Sequence, residues 1–189
     1  MRLFVGLRLG DAARALAVRI AAELRPKLER GLAARWVPAE NLHLTVRFIG
    51  HVPDDRAPSV MAAVSPPLDV APFEIELSGC GRFPPRGAPR VIWIGLTKGL
   101  PALTTLHEEF NRRLAPLGFL PENRPYSAHL TLARIKDARA AAARPIDAAF
   151  AHIRTGTVAQ RVNALTLFES RLSPRGPTYV EVCRVPLDG

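Results

Sequence analysis

The chain has 189 residues, a mass of 20.6 kDa and 48% hydrophobic residues, enough to bury a core in one domain or two small lobes, which excludes a disordered chain. No apolar run approaches the ~20 residues that span a bilayer, and the opening Met-Arg-Leu-Phe-Val-Gly-Leu-Arg runs straight into strand-like alternation, so a cytoplasmic protein without membrane partners is expected. Cys80 and Cys183, with no Cys-x-x-Cys spacing, speak against a disulfide framework or a cysteine zinc site and read as small buried hydrophobes; the formal charge of +9 favours polyanions, although 23 arginines in an Ala- and Pro-rich chain make part of it compositional drift.

Arg2 to Leu9 reads as a strand, and Asp11 can cap a helix whose Leu16, Ile20 and Leu24 recur at a spacing of four, with Pro26 ending or kinking it. A loop with Trp36 and Pro38 leads to an apolar strand from about Leu42 to Ile49, closed by Gly50. Pro53-Asp54-Asp55 starts a second helix to about Val64. Phe73 to Leu77 alternates as a strand, and Gly79 to Pro89 is a Gly-, Pro- and Arg-rich loop. Val91 to Leu96 is the next strand, and Leu103, Leu106, Phe110, Leu114 and Leu117 form a helical stripe bordered by His107. A polar loop from Pro121 to Ser127 precedes a strand from His129 to about Ile135. An alanine-rich helix near Ala138 to Ala151 and strands near Val158 to Phe168 and Thr178 to Val185 complete the chain.

The order strand, helix, loop, His-Leu-Thr strand, helix, strand occurs twice, over 2–77 and 91–168, before the C-terminal strand 178–185. Phe4 to Leu7 echoes Trp93 to Leu96 at an offset of 89, and His43 and His129 are 86 apart. The fold expected from the repeat is α+β: a single bilobal domain over 1–189, its two pseudo-symmetric lobes related by a pseudo-twofold axis, with the two triplets facing a central cleft.

On a strand, His43 and Thr45 share one face while Leu44 and Val46 take the other, and His129 and Thr131 repeat this against Leu130 and Leu132. Five histidines and nine threonines produce about a quarter of one His-x-Thr occurrence by chance, so two in matching contexts point to a site. His51, His107 and His152 lack a partner at useful spacing and receive no role. Two imidazoles of ordinary pKa near 6.5 can stand one neutral and one charged, as base and acid, while threonine hydroxyls donate to oxygens where charge accumulates. An in-line displacement at phosphorus needs that set. A zinc reading of His43 and His129 lacks a third ligand nearby, so no metal and no cofactor are expected.

The stretch Arg35-Trp36-Val37-Pro38-Ala39-Glu40-Asn41-Leu42-His43-Leu44-Thr45-Val46-Arg47-Phe48-Ile49-Gly50, with His129-Leu130-Thr131-Leu132-Ala133-Arg134, resembles the paired His-x-Thr-x motifs of the two-histidine (2H) phosphoesterases. The bacterial LigT-like branch, RNA 2',3'-cyclic phosphodiesterases first described as 2'-5' RNA ligases, is the nearest likeness, and it covers essentially the whole chain. The resemblance implies two lobes, each an antiparallel sheet flanked by helices, and metal-independent opening of a terminal 2',3'-cyclic phosphate of RNA to a 2'-phosphate, with 2'-5' ligation as related reverse chemistry; a monomer is expected. It assigns His43 as proton donor to the leaving oxygen, His129 as proton acceptor from water, and Arg134 as phosphate ligand. Ala128 stands where the family has proline, and Arg134, five positions after His129, needs a bulge or twist to face inward. Arg47 follows His43 and Thr45 in phase, as a further phosphate contact or a solvated strand-end arginine. A small cyclic nucleotide or 2'-5' oligonucleotide as substrate, and a basic RNA-binding module without catalysis, remain as alternatives.

Overall fold

The computed structural model describes residues 1–28, 32–136, 139–174 and 176–189. Among them, strands β1 (Arg2–Arg8), β2 (Ala34–Trp36), β3 (His43–His51), β4 (Phe73–Phe83), β5 (Val91–Lys98), β6 (Leu130–Ile135), β7 (Thr157–Val162), β8 (Ala164–Ser173) and β9 (Gly176–Pro186) join in one sheet. Its order is β7-β4-β5-β6-β3-β1-β8-β9, every neighbour antiparallel, with β2 added to β6. The helices are α1 (Asp11–Leu28), α2 (Ala57–Val64), α3 (Leu100–Leu114) and α4 (Ala143–Ala151). No helix among the described residues is long and apolar enough to cross a membrane.

The sheet divides where β3 meets β6, because these strands pair only at Leu44 and Leu130 before diverging. On one side lies β3-β1-β8-β9, the first lobe, and on the other β7-β4-β5-β6, the second; together they form the α+β bilobal architecture. The sequence halves 2–77 and 91–168 are not the lobes. β4, at the end of the first half, pairs with β5 and β7, and β8, at the end of the second, pairs with β1. Antiparallel neighbours in sequence pair locally, so the four main strands of the second lobe, β4 to β7, come from one stretch, 73–162, while the first lobe is drawn from both ends of the chain.

Asn163 alone separates β7 from β8, which stand six places apart in the sheet. At about 4.8 Å per strand a flat sheet would put them nearly 30 Å apart, beyond the reach of one residue. The sheet must therefore curl into a half-barrel. Gln160 of β7 fastens this closure, donating to the Arg8 carbonyl and accepting from Gly10 N, both at 2.9 Å.

The helices cross between lobes. α1 follows β1 yet packs with α4 and β7, burying Ala13, Leu16, Ala17, Ile20, Leu24 and Leu28, whereas α3 follows β5 and packs on α2 and β3 through Leu103, Leu106, Phe110 and Leu114. Pro26 falls in the last turn of α1 and does not end it, and Gly10, whose carbonyl accepts from Arg14 N, starts the first turn ahead of Asp11. β4 runs on to Phe83 through the expected loop. A register shift between Ser78 and Cys80 absorbs the irregularity, and Gly81 is required because a Cβ there would overlap the Trp93 ring.

Candidate active site

The His-Leu-Thr strands β3 and β6 lie side by side at the seam. Their antiparallel pairing about Leu44 and Leu130 sets each histidine across from the other motif's threonine. Leu44, Val46, Leu130 and Leu132 are buried in the core, while His43, Thr45, His129 and Thr131 are half-buried on the opposite side. Both rings are oriented by the same local device. His43 Nδ1 donates to the Asn41 carbonyl and His129 Nδ1 to the Ser127 carbonyl, each at 2.7 Å and each two residues upstream. A carbonyl only accepts, so the proton sits on Nδ1 in the neutral ring and Nε2 is left for proton exchange in the cleft. His43 Nε2 lies 3.0 Å from Thr45 Oγ1.

Each motif strand bulges three residues after its histidine. In β3 Gly6 pairs with Thr45 and Val5 with Arg47, leaving Val46 as the extra residue; in β6 Trp93 pairs with Thr131 and Ile92 with Ala133, leaving Leu132 extra. The bulge shifts the alternation by one, so Arg134 comes out exposed on the face of Thr131, between buried Ala133 and Ile135. The Arg134 charge acts on His43, His129 and Tyr179 together. The same bulge overturns the expectation for Arg47. It is buried on the helix side, donating to the carbonyls of Phe48, Phe119 (3.2 Å) and Leu120 (2.6 Å), and is neither a cleft residue nor a solvated one. The register also corrects the repeat: Gly6 opposite Thr45 matches Trp93 opposite Thr131, an offset of 87, so the Phe4 and Trp93 echo is two residues out of step. Because two residues restore the same strand face, the echo survives as pattern.

Aromatic rings wall the two imidazoles. Around His43 stand Phe4 at 4.7 Å between centroids and Tyr179 edge-on at 4.9 Å, with Phe168 behind Phe4 at 5.1 Å. Around His129 stand Phe83 edge-on at 4.9 Å and Trp93, which packs on Phe83 at 5.1 Å. Burial is the main reason that both histidine pKa values fall below the usual 6.5. The bonds to Asn41 and Ser127 oppose the fall, and the charge of Arg134 adds to it, as does that of His129 at His43. Burial pushes the Cys80 thiol up to about 11, so it stays protonated; it and Cys183 are half-buried and free. Among the described residues no three His, Cys, Asp or Glu side chains come together as a metal-binding group.

Four further residues, to which the sequence alone assigns no role, lie around the histidine strands. Asn41 is buried and donates from Nδ2 to the Pro177 carbonyl at 2.7 Å, tying the His43 carbonyl partner to β9. His107 and Tyr126 stack at 4.4 Å with planes 9° apart and grip two successive carbonyls behind the first motif. His107 Nδ1 donates to Val46 O at 2.7 Å, and the Tyr126 hydroxyl to Thr45 O at 3.1 Å. His107 thus has partners that sequence spacing does not show. Arg35 pairs with Arg134 across β2 and β6, and its guanidinium passes over Gly176, where φ is 126° and a Cβ would overlap it.

A family model described as the 2'-5' RNA ligase superfamily matches residues 12–173. The chain is 35% identical over 150 residues to an RNA 2',3'-cyclic phosphodiesterase of Aeropyrum pernix, covering 79% of this chain and 84% of that protein. It is 30% identical over 191 residues to one of Aquifex aeolicus, covering 100% and 98%. The crystal structure of TT0787 of Thermus thermophilus superposes with a TM-score of 0.77 at 28% identity, covering 99% of this chain and 98% of that one. With its duplicated His-Leu-Thr strands, shared bulge and bilobal sheet, the chain belongs to the 2'-5' RNA ligase superfamily.

Proposed function

We propose that this protein is an RNA 2',3'-cyclic phosphodiesterase that opens a terminal cyclic phosphate to a 2'-phosphate, the whole chain working as one bilobal unit. The observation that carries the reading is the pair of imidazoles, each fixed by an Nδ1 bond to a carbonyl two residues upstream, flanking one seam with Arg134. In the proposed step His129 Nε2 takes a proton from water as the oxygen attacks phosphorus. The bond from phosphorus to the 3' oxygen breaks, and His43 Nε2–H delivers its proton to that oxygen, leaving a 2'-phosphate and a 3'-hydroxyl. Solvent then returns both rings to their starting states. Thr45 and Thr131 donate to the nonbridging oxygens, and Arg134 holds the phosphate by its planar fork. Relatives named for this activity, one matched over 79% and one over 100% of this chain, support the substrate class.

The test is incubation of the purified protein, in EDTA, with an oligoribonucleotide ending in a 2',3'-cyclic phosphate, followed by identification of the new terminus. A 2'-phosphate is expected. A 3'-phosphate would reverse the leaving oxygen, and an unchanged end would sink the reading.

A further inference from the structure

We infer that the groove beside Arg2, Phe48 and Leu172 in the first lobe binds the nucleotide immediately 5' of the reacting one in a single-stranded RNA. This inference rests on the phosphodiesterase reading and deepens it, because it makes an RNA chain, and not a mononucleotide, the better substrate.

The groove is open, about 560 Å³, and is lined by the ends of β1, β3 and β8. It adjoins the His43 wall: Phe48 pairs with Phe4 across β1 and β3, and Phe4 in turn touches the His43 ring. The bulges make Phe48 the counterpart of Arg134, each the residue two positions after the bulge and each exposed on its strand. The two lobes thus use one position differently. The second presents a guanidinium opposite Val91, and the first presents a ring opposite Phe4 with the Arg2 guanidinium 5.2 Å from its centroid. Phe48 is 36% and Leu172 69% exposed, an apolar surface that a base would cover.

The direction of the chain follows from the chemistry. In the proposed step the leaving oxygen belongs to the terminal ribose and faces His43, while water approaches on the His129 side, so the rest of the RNA lies over the first lobe. Charge agrees with this course. Arg134, Arg2 and Arg35 all contribute positive charge at the Tyr179 hydroxyl, whose ring stands edge-on to His43 at 4.9 Å. The one carboxylate in the lining, Glu169, is bonded by Arg171 at 2.8 Å. Aromatic rings alternating with cations are the means by which proteins hold single strands without reading sequence.

The experiment compares kcat/KM for a nucleoside 2',3'-cyclic phosphate with that for a dinucleotide carrying the same end. The wild type should favour the dinucleotide by about 10-fold or more, the scale of one stacked base. Phe48→Ala should abolish that preference while leaving mononucleotide turnover as it was, Phe48→Trp should keep it, and Arg2→Gln should reduce it and its salt dependence. Equal rates on both substrates in the wild type, or a preference untouched by Phe48→Ala, would overturn the assignment. Should neither substrate be turned over, the phosphodiesterase reading falls. Anisotropy with a labelled single-stranded tetranucleotide then decides the groove: weaker binding by Phe48→Ala upholds it and equal binding refutes it.

Discussion

The two motif strands bulge at the same step, three residues past the histidine, yet the bulges are held in different ways. In the second lobe Leu132 O accepts a backbone bond from Val37 N at 2.8 Å, and β2 then pairs with the rest of β6. In the first lobe the corresponding carbonyls are held by side chains, Thr45 O by Tyr126 and Val46 O by His107. A backbone partner is indifferent to which side chain it carries, whereas a side-chain partner can be lost in one substitution. The difference also joins the halves, since Tyr126 lies three residues before His129 and reaches the opposite motif.

The largest expected effect ignores this difference. His43→Ala and His129→Ala should each lower turnover about 10²-fold or more, because acid and base are both required, with circular dichroism unchanged. Unaltered turnover in either variant would make the equivalence of the lobes one of shape only. Next, His107→Ala and Tyr126→Phe should lower kcat about 10-fold with little change in KM, each losing a bond worth about 1 kcal/mol, whereas Val37→Ala should be near wild type because its backbone N–H remains. If Val37→Ala matched Tyr126→Phe, side-chain support would not be what distinguishes the first lobe. Thr45→Val and Thr131→Val should both reduce turnover several-fold as a donor is lost. Only Thr45→Val should also move the pH profile, since of the two motif threonines Thr45 is the one whose hydroxyl bonds a motif histidine ring, at His43 Nε2.

The smallest effect is a shift of pH. Burial and the Arg134 charge both disfavour imidazolium, so the free-enzyme pKa values lie below the ordinary 6.5. On the acid side activity is lost as His129 takes a proton, and on the alkaline side as His43 gives one up, so the kcat/KM optimum should fall below pH 6.5. Arg134→Gln removes a positive charge from both rings, and both limbs should move to higher pH. Limbs that stay in place would mean that Arg134 does not act on the histidines.

The triplets were legible because alternation along a strand is a short-range rule, and His43, Thr45, His129 and Thr131 obey it before the bulge begins. Past the bulge the rule fails by one residue. Strict alternation places Arg47 on the face of His43 and Thr45, but Arg47 is buried and Phe48 comes out exposed, and Arg134 faces inward only if a bulge is supposed. Nothing in local composition tells a bulge from regular strand, because what fixes it is a partner such as His107 or Val37, distant in sequence. The division into lobes is hidden from the sequence for the same reason. A repeat read along the chain cannot show that β4 pairs forward with β5, or that β8 returns to β1. The expected helix near Ala138 begins outside the described residues, and α4 itself starts at Ala143.

The first lobe, drawn from both ends of the chain, has a consequence during synthesis. β1 leaves the ribosome with an edge whose partner β8 is made roughly 160 residues later, about 10–30 s at ordinary elongation rates. The four main strands of the second lobe, continuous from 73 to 162, can pair as they emerge, whereas Phe4 and His43 wait for Phe168 and Tyr179. The nascent chain therefore acquires its aromatic wall last, and a ribosome stalled before β8 holds both histidines without a finished cleft.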